Sequence, residues 1–395
     1  MKFNFQDTKY VKMFEESVEG RQIISYILND PNLIKANYQF WKTYFPADPT
    51  PLTTDKSGHA AVRIEARKPV KATMADWRAP LGNSRLGEEG EAQWYNAGII
   101  DLISLGWQEQ AMEREYKEKL FNELGSEAPI ILGYATDVLQ PRIDGINMGL
   151  SNMAAQALST SRVVYTGGQM ITGPVYRAPT PAENFTKMFH KVISAADCDL
   201  PAELAEIEKH YREDVWGTEN LTGEWLVPEA TFKTYFMKNA KFLEWIKIQW
   251  LADKGQLINQ TSAVPDSVVT EDVFNNYVLR YPDLSPIRVI REKQLNDGTV
   301  VSGWRPGVIT FKAAGIAGKT YRTELLDRKL SEKYGNNIIS KVFSTTADGL
   351  ITVENTTGVD GQYKYWATDV KSSATPILDL FQYIVHVNTT WVEVD

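Results

Sequence analysis

The sequence predicts an α+β protein, and three features carry that expectation. A long alternating strand pair lies near the start, an amphipathic helix begins at Pro141, and strand-like segments dominate from Pro286 onward. In the first, Val62, Ile64, Ala66, Val70, Ala72 and Met74 fall on one side of a two-residue alternation, and Arg63, Glu65, Arg67, Lys71 and Thr73 fall on the other. That is the pattern of a half-buried strand. Lys68 breaks the apolar side, and Pro69 marks an edge or a bend.

Taken in order, residues 1–60 read as an arm. Val18 to Leu28 carries a short helical pattern broken by Asn29-Asp30-Pro31. An aromatic cluster (Tyr38, Phe40, Trp41, Tyr44, Phe45) follows, and a proline-rich link runs from Pro46 to Pro51. Residues 61–101 form a charged ribbon. Its basic residues gather early at Arg63, Arg67, Lys68 and Lys71. Asp76, Trp77 and Arg78 precede a glycine-punctuated tip, Leu81 to Gly87, that contains Arg85, and Glu88, Glu89 and Glu91 follow it. At about 3.3 Å per residue the first strand spans about 40 Å. A two-stranded ribbon of that length is marginal alone, so a packing surface is expected elsewhere, most naturally on a second copy of the chain.

The return strand runs into Ile99 to Ile103, and Trp107 to Leu124 reads as a charged helix closed by Gly125. In the helix after Pro141, Ile143, Ile146, Leu150, Met153 and Ala157 step by three and four and share a face. It ends near Thr160, before a short strand, Arg162 to Tyr165. Pro174 to Pro181 reads as a hinge. Then come a helix from about Ala182, an acidic helix from Pro201 to Asp214, and a strand from Glu224 to Val227. Pro228 opens a helix with a stripe at Phe232, Phe236, Ala240, Leu243, Ile246 and Trp250. A helix from Thr270 to Tyr281 precedes a hairpin of Pro286–Glu292 with Val300–Trp304 around Asp297-Gly298, then a strand from Val308 to Ala313. From Ile338 the chain is mostly strand-like.

Composition narrows function. A hydrophobic share of 43% and a charged share of 23% are those of a folded globular chain. No apolar run reaches the roughly 18 residues of a membrane span, and the first residues lack a signal core, so no membrane partner is expected. A single cysteine, Cys198, excludes an intrachain disulfide framework and fits a reducing compartment. Between Asp197 and Asp199 it reads as a plain thiol. The net charge of −8 argues against a dedicated nucleic-acid binder, without excluding contact through a locally basic face.

One catalytic pattern occurs. Ala313 to Thr320 follows a strand and ends Gly318-Lys319-Thr320, as a phosphate-binding loop does. Its surroundings read as antiparallel strands rather than alternating βα units, which favours an incidental glycine-rich connection. His59, His190, His210 and His386 are isolated, without zinc-ligand spacing. Glu203, Glu206, Glu208, Glu213 and Asp214 read as a solvated helix face. Lys319 and the ribbon cations are expected to pair with carboxylates across an interface. The expectation is a non-enzyme with no cofactor and no metal.

This order of parts resembles the major capsid proteins of tailed bacteriophages, the Hong Kong 97-type fold in its lambda-like branch. The ribbon sits where that family's extended loop lies. Arg142 to Thr160 is similar to its spine helix, followed by the strand Arg162 to Tyr165. Trp225-Leu226-Val227-Pro228 with the following helix, and Pro286 to Thr323, are similar to its axial domain. Tyr365 to Asp369 and the closing strands resemble its C-terminal stretch.

The resemblance implies five parts: an arm (1–60), the extended loop (61–101), a peripheral domain with the spine helix (102–181), an axial domain (182–323), and a return to the peripheral domain (324–395). It implies a structural protein of the virion capsid, assembled in the bacterial cytoplasm into hexamers and pentamers of an icosahedral shell. Packaged double-stranded DNA would be contacted non-specifically, and scaffold, portal and decoration proteins are possible partners. Any scaffold is expected to be a separate protein, since the arm begins almost at Met1. Some members join subunits by a Lys-Asn isopeptide bond; no motif here singles out a pair, and none is predicted. Two other readings stand beside this one. The first is an encapsulin-type nanocompartment, with Val18 to Leu28 as its cargo-binding helix. The second is a nucleotide-binding enzyme using Gly318-Lys319-Thr320.

Overall fold

A computed structural model describes residues 40–52, 61–67, 92–103, 107–108, 134–165, 173–217, 221–255, 264–265, 268–278, 280–281, 284–291, 294–296, 299–323, 340–345, 349–360 and 363–390. The expected helix at 18–28 and the closing segment 391–394 lie outside them.

Helix α1 (Phe40–Tyr44) buries Trp41 and Tyr44. Strands β1 (Ala61–Arg67) and β2 (Ala92–Gly98) pair antiparallel, from Ala61 opposite Gly98 to Arg67 opposite Ala92. The chain then adds β3 (Asp101–Ile103) and β4 (Trp107–Gln108) to the edge of a later strand. Trp107 is therefore in a strand and does not start the predicted helix; residues 109–124 lie outside the described set.

A π-helical turn, Tyr134–Leu139, leads into α2 (Gln140–Thr160) with Pro141 in its first turn. There its missing N–H costs nothing. The helix ends where Ser161 enters the left-handed region (φ 53) and its N–H reaches the Ala157 carbonyl. Ile143, Ile146, Leu150, Met153 and Ala157 are all buried, and so are Asn147, Ser151, Ala154 and Leu158. Burial wraps more of the helix than one stripe, and each large apolar side chain contributes about 1.5–3 kcal/mol.

β5 (Arg162–Tyr165) pairs with β6 (Gly173–Arg177). Pro174 thus begins a strand rather than a hinge. A 3-10 turn at Ala182–Asn184 replaces the helix expected there and runs into β7 (Phe185–Lys187). α3 (Leu200–Lys209), capped by the Asp199 side chain, continues as a π turn to Val215. β8 (Gly223–Pro228) is followed by α4 (Glu229–Thr234) and α5 (Ala240–Asp253). The stripe from Phe232 to Trp250 is split between them, because Asn239 accepts from the N–H groups of Lys241 and Phe242 and starts a new helix.

α6 (Glu271–Val278) precedes β9 (Ile287–Ile290), which pairs parallel with β8. It is not half of the expected hairpin. That hairpin is smaller: β10 (Gln294–Asn296) with β11 (Thr299–Val301), flanking the Asp297-Gly298 turn signal. β12 (Val308–Ala313) is fully buried. β13 (Gly318–Arg322), β14 (Ser340–Thr345), β15 (Thr352–Asp360), β16 (Tyr363–Leu378) and β17 (Ile384–Asn388) complete the chain.

Two sheets organise the described residues. One is five-stranded in the order β7-β17-β12-β8-β9, and the other is six-stranded, running β13-β16-β15-β14 with β3 and β4 also on β16. One apolar cluster joins α1 and α2 to the second sheet through Trp41, Phe45, Leu150, Leu158, Ala374, Ile377 and Phe381. Another fills the first sheet's faces with Trp216, Trp225, Phe232, Phe242, Phe274, Phe311 and Val385. β17 belongs with β12 in the five-stranded sheet, so the chain returns to that sheet after β16.

Candidate functional site

The ribbon base is a separate two-stranded sheet. Residues opposite each other across the pair share a face, which gives it two unlike sides. On one, Ile64 lies opposite Tyr95 and both are buried, with Ala97 beside them. The Tyr95 hydroxyl donates to the Leu378 carbonyl, and its ring packs against Tyr176 at 5.6 Å and edge-on to Phe381 at 5.6 Å. Gln382 Nε2 donates to Gln93 Oε1. The base is thereby anchored to its own subunit's core while its strands stay out of both large sheets.

On the other side Arg63, Glu65, Trp94 and Asn96 are exposed. Trp94 is 52% accessible, and the Arg63 guanidinium lies 4.5 Å from the centre of its ring. Trp and Arg are enriched among the residues that dominate interface energies. Trp94 was absent from the sequence-based set, although the alternation Trp94, Asn96 against Tyr95, Ala97 already assigns it to the outer face.

Of the predicted ribbon residues, the structure places Arg63 on this exposed face and Arg67 at the end of β1. Lys68, Lys71, Asp76, Trp77, Arg78, Arg85, Glu88, Glu89 and Glu91 lie outside the described residues. The helix set from Ile143 to Ala157 faces the core, and the arm is tied to the same helix: Trp41 Nε1 donates to Asn147 Oδ1 at 3.1 Å. Past α1 the chain bridges in parallel to β13, at Ala47 with Thr320 and Leu52 with Thr323.

The phosphate-loop pattern is a strand. Gly318 to Arg322 pairs with Leu378 to Ala374. The Ala317 N–H donates to the Tyr44 carbonyl and the Thr320 N–H to that of Pro46, while the Thr320 hydroxyl donates to the Phe45 carbonyl. A side chain at Gly318 would meet the Ile377 carbonyl oxygen at 1.9 Å, so the glycine serves strand packing. Lys319 pairs with Asp48 of its own chain at 3.2 Å, not across an interface. These donors are committed to the fold rather than to a phosphate.

The other candidates are likewise structural. Among the described residues no cluster of His, Cys, Asp and Glu suits a metal ion, and no helix is long and apolar enough to cross a membrane. His190 bonds Glu206, His210 bonds Asp214, and His386 is buried against the Ser161 hydroxyl at 2.7 Å; His59 lies outside the described set. Cys198 is buried. Burial, then the carboxylates of Glu203, Asp199 and Asp197, push its thiol up to about 11.

The acidic helix differs from its expected solvated face. Glu203 and Glu208 are buried. Glu203 accepts from the N–H groups of Phe189, His190 and Lys191, and Glu208 accepts from Arg212, Trp225 Nε1 and the Ser285 N–H and hydroxyl. The sequence also gave no sign of a buried ion pair on β12. Lys312, fully buried, lies 2.6 Å from Glu224 and donates to the Ala313 and Gly315 carbonyls.

No family model matches this chain, and no curated protein matches it. Among solved structures it is similar to a protein named as a prophage capsid protein, from E. coli CFT073. That likeness has 12% identity and a TM-score of 0.49, covering 93% of this chain and 97% of the other. It is also similar to a phage-related protein from Bordetella bronchiseptica RB50, at 12% identity and a TM-score of 0.41, covering 94% and 98%. A third is the capsid of Ralstonia phage GP4, at 11% identity and a TM-score of 0.38, covering 90% and 92%. All three likenesses have TM-scores below 0.5.

Proposed function

We propose that this chain is a shell-forming subunit, the major capsid protein of a tailed double-stranded DNA bacteriophage. It assembles with copies of itself into hexamers and pentamers of an icosahedral virion shell. The ribbon is the observation that carries this reading. Its base is anchored by Ile64, Tyr95 and Ala97, its strands join neither large sheet, and its outer face offers Arg63, Glu65 and Trp94 to solvent. A ribbon base whose described strands pair only with each other is marginal alone, and its outer face is offered to another molecule. Repeated over a closed lattice, many such contacts stabilise a container without any single strong one.

In this reading the arm is 1–60, the extended loop 61–101, the peripheral domain 102–181 with 324–395, and the axial domain 182–323, except that β13 pairs into the peripheral sheet and β17 into the axial one. The work is geometric, which agrees with polar groups spent on the fold. Packaged DNA would be contacted non-specifically, and scaffold, portal and decoration proteins would act at the shell.

Expression of the chain, alone and with its neighbouring genes, followed by negative-stain imaging, tests the proposal. Regular shells or capsomers are expected. Deleting Ala79 to Gly90 should leave a folded subunit that assembles poorly. A monodisperse monomer with catalytic turnover would overturn the reading, and shells filled with protein cargo instead of nucleic acid would move it to a nanocompartment.

A further inference from the structure

An open pocket of about 480 Å³ lies where the end of α2 meets β5, β6 and β7, and three arginines line it: Arg162, Arg177 and Arg305. All three are exposed, and none makes an ion pair among the described residues. The connection 166–172 contains no acidic residue. Arg162 and Arg177 are directly opposite across the β5–β6 pair. Like charges so placed repel, and in a chain of net charge −8 such a pair, with no carboxylate partner among the described residues, suits an anion from outside.

Capping of the helix does not account for the cluster. Basic side chains gather at helix C-termini to meet free carbonyls, but among the described residues none of these three guanidinium groups donates to one, and several carbonyls near the helix end have other partners. The Gln156 carbonyl accepts from the Thr160 hydroxyl, that of Ala157 from the Ser161 N–H, and that of Leu158 from the Thr310 hydroxyl.

The fourth feature of the pocket is Phe185. Its ring is 44% accessible and is backed by the His386 ring at 4.9 Å. A supported aromatic face beside guanidinium groups suits a planar ring that carries phosphate, because bases stack on aromatics while Arg forks hold phosphate oxygens. An acidic peptide would use the arginines and leave the ring idle. The geometry points to a nucleotide-phosphate site formed by Arg162, Arg177, Arg305 and Phe185, which takes its ligand from a nucleic-acid strand or as a free nucleotide. The site stands whether or not the subunit forms shells, since binding is read on unassembled chain and assembly is scored separately.

The test uses fluorescence anisotropy with the full-length chain and four probes: a labelled single-stranded 20-mer, its duplex, a labelled mononucleotide, and polyglutamate of matched charge. Three phosphate contacts on a single strand give a log–log salt slope of about −2, or roughly a 16-fold loss between 50 and 200 mM salt. The triple variant R162Q/R177Q/R305Q should bind at least ten-fold more weakly with a flattened slope, at unchanged melting temperature because all three side chains are exposed. Phe185→Ala should weaken the single strand and the mononucleotide several-fold and leave the duplex nearly unaffected. The strand binding more tightly than the mononucleotide identifies a polymer as the source; equal affinity identifies the free nucleotide. Wild-type binding by the triple variant, equal affinity for polyglutamate, or no effect of Phe185→Ala overturns the proposal.

Discussion

Replacing Lys312 by Met removes a buried cation from beside Glu224, and the structure sets the size of the effect. Nζ of Lys312 is 2.6 Å from Glu224 Oε1, with the two side chains 0% and 9% accessible. Burial holds the lysine's pKa below its usual range, and Glu224 opposes that shift. Losing the ammonium strands a buried carboxylate, whose remaining help is the Gly315 N–H at 3.2 Å and Arg288 at 3.6 Å. Breaking a buried pair costs about 3–5 kcal/mol, and Arg288 holds the value toward the lower end. With an m value of about 3 kcal/mol/M in urea, the midpoint should fall by about 1 M. In the double variant K312M/E224L both charges are gone, so it should recover much of that loss. Urea unfolding of the wild type, both single variants and the double variant gives the coupling energy directly. A Lys312→Met chain within about 1 kcal/mol of wild type, or strictly additive single changes, would refute the argument.

A buried histidine and a half-buried aspartate should give opposing pH slopes. Burial, then Arg305, lowers the His386 pKa to about 3 from 6.5, so its contribution is complete above about pH 6.5 and is lost as pH falls toward 3. Burial raises Asp379 to about 6 from 3.8; that contribution is complete below about pH 4 and is lost as pH rises through 6. Melting temperatures from pH 4 to 8 should show a shallower acid decline in His386→Gln and a gain at neutral pH in Asp379→Asn, on the order of 1–2 kcal/mol after allowing for solvent screening; unchanged profiles would contradict both. Gly318→Ala should destabilise the fold by several kcal/mol, as steric strain against a backbone carbonyl in a packed sheet does, while Lys319→Ala should leave any nucleotide binding seen in calorimetry at the wild-type level, because Lys319 is paired with Asp48. Trp94→Ala should melt within about 0.5 kcal/mol of wild type, as exposed substitutions do, yet assemble less well in sedimentation; normal assembly would remove Trp94 from the interface.

What could be read from the chain divides by physical range. α2 was legible because a stripe at three- and four-residue steps after a proline is a local signal, and the helix runs from Gln140 to Thr160. The ribbon base was legible for the same reason, since its alternation is written in consecutive residues. Partners distant in sequence were not legible. Pro286 to Glu292 and Val300 to Trp304 look like a hairpin around Asp297-Gly298, but β9 pairs in parallel with β8, some sixty residues earlier, and leaves a shorter hairpin at the turn. Nothing local announces such a crossover. The apolar stripe from Phe232 to Trp250 suggested one helix because period alone does not see Asn239, whose side chain satisfies the first N–H groups of α5 and restarts the helix. Charged residues were misread in one direction. Glu203 and Glu208 read as part of a solvated helix face, and nothing in the sequence marks Glu224 and Lys312 as a pair; all four are buried, with partners that include groups far along the chain. The arginine pocket was hidden in the same way, since Arg162, Arg177 and Arg305 converge only when β5, β6 and the approach to β12 come together. The two sets invite opposite inferences. A buried charge with a complete set of partners explains a fold, whereas exposed like charges with no ion pair among the described residues point to something the subunit has yet to meet.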